Sequence, residues 1–183
     1  MERNNFNLRD IQQDDLKMIL EWRNSERVRV NMYNDRLISW AEHCKWFDSL
    51  KDKTNSKYKL FECFSIPTGV ISFNSIDNDN GTCFWGFYLG RTPAEKGTGI
   101  IMGFLGIEYA FEVLGIRKIC GEAFRFNEGS IRFHQKLGFV QEGLFTKHIF
   151  KNGVYEDIIR FALFRDNWMN LKSSLQSKLS CSL

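Results

Sequence analysis

The chain has 183 residues and a formal net charge of +3, with 43% hydrophobic and 15% aromatic residues. That length suits one domain with a real core, and two prolines with no low-complexity run argue against a long disordered arm. Lysines and arginines lie scattered among acids, so no nucleic-acid-binding stripe is evident. Cys44, Cys63, Cys83, Cys120 and Cys181 form no Cys-x-x-Cys pair and there are three histidines, so no metal site is expected. Dispersed cysteines fit reduced thiols in a cytoplasm. Met1 to Asn5 has no apolar segment of a secretion signal, and the apolar runs are too short for a membrane span.

Phe6–Ile11 alternates apolar and polar residues, as a half-buried strand does. Asp14 then caps a helix to about Asn24, and Ser39, with Glu42 three residues on, caps a second to about Lys51. Strands are expected at Tyr58–Ser65 and Gly69–Ile76, joined by a turn at Ile66-Pro67-Thr68-Gly69. After the turn 77–81, Thr82–Leu89 is a strand with Cys83, Trp85, Phe87 and Leu89 on one face. A helix follows to about Leu114, with Gly99, Gly103, Gly106 and Ala110 along one face, a small-residue stripe that compensates its cost by close packing. Lys118–Phe124 is the next strand, and Asn127 caps a short helix that Gly138 closes. Gln141–Phe150 and Val154–Leu163 flank Lys151-Asn152-Gly153, a hairpin signal. Trp22, Trp40, Trp46, Phe47 and Trp85 read as core. Residues 1–168 read as one domain, with 169–183 as a polar tail that frays or forms a terminal helix.

The order β-α-α-β-β-β-α-β-α-β-β implies a mixed α+β fold with helices on both faces of the sheet. Between the second and third helices, Arg91-Thr92-Pro93-Ala94-Glu95-Lys96-Gly97-Thr98-Gly99-Ile100 joins a strand to a helix start. Two glycines there leave backbone N–H groups free at the positive end of a helix dipole, a seat for a phosphate.

This loop, with Asn127 to Phe139 and the element order, resembles the GNAT superfamily of N-acetyltransferases over residues 6 to 165. The resemblance implies a mostly antiparallel sheet of about seven strands and acetyl-CoA in a splay between the strands Thr82–Leu89 and Lys118–Phe124. It implies backbone contacts near Leu89 for the pantetheine arm, with Asn127 on its flank. Gly97, Thr98, Gly99 and Ile100 would hold the pyrophosphate by their N–H groups. Ala94 stands where the family has glutamine or arginine, and Lys96 is a candidate for the missing charge. A narrower resemblance, carried by Glu21-Trp22-Arg23-Asn24, Val28-Arg29, Met32-Tyr33, Ile38-Ser39 and His43, is to pseudaminic-acid pathway acetyltransferases. It implies a UDP-4-amino-4,6-dideoxy sugar as acceptor, Arg23 on its diphosphate, Met32, Tyr33 and His43 around the nucleotide, and Asn74, Ser75 and Tyr88 beside the sugar.

His134 occupies the family's acid position, where tyrosine is common, so the resemblance makes it the group that protonates the departing thiolate or holds it by a hydrogen bond, the alternative being a histidine packed at a helix–sheet seam. Glu122 reads either as the base or as a solvent-facing strand residue, and Ser72 and Tyr88 are placed to order a water. Two other readings stay open: an N-terminal acetyltransferase of a ribosomal protein, and a non-catalytic acyl-CoA-binding module. Neither nucleic acid nor membrane is expected as a partner, and the chain is expected as a monomer or homodimer.

Overall fold

The computed structural model describes the backbone of residues 5–180 and the side chains of residues 5–177. Seven strands form one sheet in the order β1-β2-β3-β4-β5-β7-β6. They are β1 (Phe6–Asp10), β2 (Lys57–Cys63), β3 (Ile66–Asp77), β4 (Thr82–Leu89), β5 (Lys118–Phe124), β6 (Val140–Lys151) and β7 (Val154–Phe164). Every neighbouring pair is antiparallel except β4 with β5. Helices α1 (Leu16–Asn24), α2 (Glu26–Arg29), α3 (Trp40–Ser49), α4 (Thr98–Glu108), α5 (Glu128–Lys136) and α6 (Arg165–Ser180) cover it. The expected mixed α+β architecture, with a mostly antiparallel sheet of about seven strands, is what forms.

The local chemistry explains most of the element ends. Ser39 and Glu42 close the expected capping box at the start of α3, each side chain taking the other's backbone N–H. Asn127 accepts the Ser130 N–H at 3.0 Å and starts α5. Asn152 and Gly153 both take left-handed backbone angles, φ 51° and 84°, as a two-residue hairpin between β6 and β7 requires.

Three expectations on element ends change. The α1 cap is not Asp14: a 3-10 turn at Gln13–Asp15 precedes the helix. There Asp15, held by a fork from Arg9 at 2.6 and 2.9 Å, takes the Gln12 N–H at 2.7 Å. The β2–β3 turn sits at Phe64-Ser65, both left-handed, rather than at Ile66–Gly69. Pro67 lies in the second residue of β3, opposite Glu62 at a bulge that absorbs its missing N–H. Finally α4 ends earlier than Leu114 as an α-helix, because Tyr109–Val113 widens into a π-helical turn before Gly115 closes it at φ 69°.

Two apolar clusters lie on opposite faces of the sheet. The larger packs α4, α5 and α6 against β3, β4, β5 and β7, with Phe73, Trp85, Phe104, Phe111, Phe161 and Trp168 buried. The smaller packs α1 and α3 against Leu60, Val70 and Tyr88. Close approach of α4 depends on its small residues: a Cβ on Gly103 would stand 2.5 Å from Leu137, and one on Gly106 2.7 Å from Ile71. Trp40, read as core, is half exposed at the start of α3. The segment 169–183 joins α6 as far as Ser180, anchored by Trp168, whose ring centre lies 5.0 Å from that of Phe104.

Trp168 is fully buried, so Trp168→Ala is expected to cost about 3–5 kcal/mol in denaturant unfolding. A change below about 1 kcal/mol would mean that α6 does not close the larger core.

Candidate active site

Parallel pairing between β4 and β5 covers only Thr82–Phe84 against Lys118–Cys120. Beyond it the strands part, and the edge of β4 from Trp85 to Leu89 loses its partner on that side. Strand polar groups left without a ladder need other partners, which makes the fork a ready site for an extended, amide-bearing ligand.

A cavity of about 480 Å³ occupies the fork, lined by Trp85, Phe87 and Leu89 of β4, Glu122 and Ala123 of β5, and Gly99, Met102, Asn127 and Phe133 from the helices. A second cavity of about 390 Å³ lies on the other face, under α1 and α3. Arg23, Met32, Asn34, Arg36, Ile38, Glu42, His43, Trp46 and Tyr58 line it together with Ser72 of β3. The cavities share Met32, Gly86, Phe87 and Tyr88. Gly86 is the window between them. It pairs with Ser72, and a Cβ there would sit 3.0 Å from the Ser72 hydroxyl.

The first cavity suits a pantetheine arm and a diphosphate. Gly97, at φ 96°, turns the chain into α4, and the N–H groups of Gly99 and Ile100 fall in the first helical turn, where no carbonyl lies four residues back. Leu89, Gly99 and Asn127 line the cavity. Lys96, Gly97, Thr98 and Ile100 lie at the helix start without lining it, and Thr98 is buried. A cation missed in the sequence stands nearby: Arg27 lines the cavity and donates from Nη2 to the Leu89 and Gly90 carbonyls at 2.8 and 3.0 Å. Its signal was absent because α2 lies some 60 residues away along the chain.

His134 does not stand free as an acid. It is 1% exposed, and both ring nitrogens are engaged. Nδ1 donates to the Ser130 carbonyl at 2.8 Å, which leaves Nε2 to accept the Trp85 indole N–H at 3.1 Å. The ring stacks on Phe161 at 4.7 Å, and burial pushes its pKa down to about 4. A neutral, satisfied imidazole has no proton to give at neutral pH. Gly121 makes room for this pair, since a Cβ there would stand 2.5 Å from His134 Nε2 and 2.8 Å from Trp85 Nε1. Trp85 and Gly121 are the residues just past the last β4–β5 pair, so the Trp85–His134 unit is a wedge at the fork.

Glu122 is also spent. Oε1 accepts from Arg160 Nε at 2.7 Å, and Oε2 from the Tyr33 hydroxyl at 2.5 Å. Both carboxylate oxygens are therefore taken, one by β7 and one by the segment after α2. Tyr33 therefore faces β5, edge-on to Phe124, and does not line the smaller cavity. Asn74 and Ser75 do not line it either. Asn74 takes the Tyr58 hydroxyl at 2.9 Å and donates to Ser72 Oγ at 3.1 Å, whereas Ser75 sits exposed in the β3 bulge at φ 49°. Arg23, Met32, His43, Ser72 and Tyr88 do converge on the smaller cavity.

The charge of that cavity is positive. Arg23 donates through Nη2 to the Asn34 carbonyl at 2.7 Å, but its Nη1 is buried with no partner. His43 Nε2 is likewise buried and unpartnered, and burial lowers that ring's pKa. Glu42 is the one carboxylate in the lining, and Arg36 with Ser39 takes up both of its oxygens, holding its pKa down to about 2. Burial raises the Tyr88 pKa above that of an ordinary phenol, so the hydroxyl stays protonated. Among the described residues no group of His, Cys, Asp and Glu is arranged to hold a metal ion, and no helix is long and apolar enough to cross a membrane.

Residues 5–140 match the family model described as acetyltransferase (GNAT) domain. The chain belongs to the GNAT acetyltransferase family. It is an acetyl-CoA-dependent N-acetyltransferase. The SPbeta prophage-derived uncharacterized N-acetyltransferase YokL of Bacillus subtilis is 30% identical, over 90% of this chain and 92% of that protein. Acetyltransferase PseH of Campylobacter jejuni is 27% identical, over 73% of this chain and 82% of that protein. A crystal structure of spermidine N-acetyltransferase from Vibrio cholerae, in complex with CoA and spermine, superposes with a TM-score of 0.86 at 18% identity. That superposition covers 92% of this chain and all of the other.

Gly86→Val fills the window between the cavities, so transfer is expected to fall by about 100-fold or more while acetyl-CoA still binds. Activity near wild type would mean that the cavities do not meet there. For His134, the folded pKa near 4 lies below the 6.5 of the unfolded ring, so the unfolded chain takes up the proton first. Its stability contribution is complete above pH 6.5 and is lost as the pH falls toward 4, by up to about 1.4 kcal/mol per pH unit. The His134→Phe protein is expected to lose that slope in denaturation midpoints. It should also keep the wild-type shape of kcat against pH; a lost limb would return the ring to the chemistry.

Proposed function

We propose that the chain acetylates the 4-amino group of a UDP-linked sugar, UDP-4-amino-4,6-dideoxy-N-acetyl-β-L-altrosamine. That step leads to pseudaminic acid for flagellin glycosylation. The observation that carries this reading is the buried, unpartnered Arg23 Nη1 in the acceptor cavity, beside Arg36 and His43. A buried guanidinium with an empty donor is costly unless a ligand completes it, and a diphosphate matches its fork. Trp46, Tyr58, Met32 and Ile38 supply flat and apolar walls for a base and sugar. The resemblance of Glu21–Asn24, Met32-Tyr33 and His43 to pseudaminic-acid pathway acetyltransferases points to the same acceptor class.

The shape likeness to spermidine N-acetyltransferase points to a polyamine instead, and the charge argues against it. A polycation needs free carboxylates, and the one in the lining is tied to Arg36. A peptide N-terminus would call for an open or acidic groove, which this cavity is not.

Acetyl-CoA supplies an activated acyl group as a thioester. The chain's own part is placement and proton handling. Backbone groups of β4 past Phe84 hold the extended arm in the fork, and the amine enters from the opposite face through the Gly86 window. Ser72 Oγ donates to the Gly86 carbonyl at 3.4 Å and belongs to the chain Tyr58–Asn74–Ser72. We assign that chain to ordering the water that takes the amine's proton. Tyr88, the one phenol lining both cavities, donates to the departing sulfur.

The test is incubation with acetyl-CoA and, in parallel, the UDP-4-amino sugar, spermidine and an N-terminal peptide, read as a mass gain of one acetyl group. Gain on the sugar alone supports the proposal, and gain on spermidine alone overturns it. Arg23→Met is then expected to raise the sugar KM by about tenfold or more and leave the acetyl-CoA KM nearly unchanged. Equal effects on both would undo the diphosphate assignment.

A further inference from the structure

The irregular segment between α2 and α3 has two faces. Met32, Asn34, Arg36 and Ile38 line the acceptor cavity. The residues between the first three of them turn the other way, and each is fastened to the C-terminal half. Tyr33 donates to Glu122 on β5, which also accepts from Arg160 on β7. Asp35 accepts from Lys151 Nζ at 2.7 Å, and the same ammonium donates to the Met32 carbonyl at 2.9 Å. The Lys151 side chain is 4% exposed and lies over the Phe124 ring at 5.4 Å.

We infer that this segment is a strap whose cavity face is held in register from behind, and that Lys151 and Asp35 are positioning residues for the acceptor. The inference rests on reading the smaller cavity as the acceptor site. Lys151 closes the hairpin end of β6, more than a hundred residues from the strap. A buried ammonium has no free choice of partner, so it pins the strap more firmly than a surface lysine could. The bond to the Met32 carbonyl matters most, because Met32 borders both cavities and Arg36 lies four residues further along the strap. Arg23 and Asn24 hold the strap from the α1 side, through the Asn34 carbonyl and the Ile38 backbone. The acceptor wall is thus suspended between the two halves of the fold.

Lys151→Met keeps the apolar stem over Phe124 and removes the charge, whereas Lys151→Arg retains a cation. Two measurements on the full chain decide the matter. Amide hydrogen exchange of residues 31–37 is expected to quicken by about tenfold or more in Lys151→Met, with β2 and β3 unchanged. The acceptor KM is expected to rise by about tenfold with acetyl-CoA binding by calorimetry within about twofold, and Lys151→Arg to recover most of that loss. Faster exchange throughout the molecule, with a falling Tm, would assign Lys151 to folding and overturn the inference. So would unchanged exchange, or faster strap exchange with an unchanged acceptor KM. If the wild type does not acetylate the sugar, the acceptor reading fails by itself. Spermidine or peptide, whichever is acetylated, then serves for the KM; with no acceptor turned over, exchange of 31–37 alone decides for or against the strap.

Discussion

The parting of β4 from β5 is the constraint on which the site depends. A parallel pair costs little to interrupt if something fills the gap, and here a Trp85–His134 hydrogen bond does so over Gly121. The wedge is apolar on its outside, satisfied on its inside and stacked on Phe161. It keeps the strands from closing without presenting a free polar group to the core. Past it, β4 has a bare edge on one face and Gly86 as a gap on the other, so two ligands approaching from opposite faces meet at one strand.

Charge separates the roles of the two cavities. In the fork the one lining carboxylate, Glu122, is paired with Arg160, and the start of α4 offers free backbone N–H groups nearby. In the smaller cavity the carboxylate is again paired, with Arg36, and Arg23 is left with an unfilled donor. Neither cavity therefore presents a free carboxylate, the charge pattern on which the proposed diphosphate-bearing acceptor rests. The segment between α2 and α3, part of the smaller cavity's wall, is tied to β5 through Tyr33–Glu122 and to the end of β6 through Lys151.

Much of the frame was legible along the chain because its signals are local. Ser39 with Glu42, Asn127 before α5, and Asn152-Gly153 between two strands each act through bonds spanning a few residues. The glycine loop and the α4 small-residue stripe were readable for the same reason. Side-chain roles were less so. His134 and Glu122 stand near the chemistry in sequence, yet one is sealed by Trp85 and the other is paired to Arg160 and Tyr33, partners 38 to 89 residues away. A motif marks a position; it does not say whether the group there is free.

The chain by itself determined the order of elements and the glycine turn into α4, since these rest on periodicity, caps and turn residues, and the motifs at 91–100 and 127–139 carried the resemblance to an acetyltransferase fold. Only the tertiary structure decided which titratable groups are available and which are consumed. Burial of Arg23 without a partner, the neutrality of His134 and the reach of Lys151 to Met32 are products of packing between distant segments. Desolvation and ion pairing depend on what surrounds a side chain in space, and that is set only when the sheet closes and the helices dock on it.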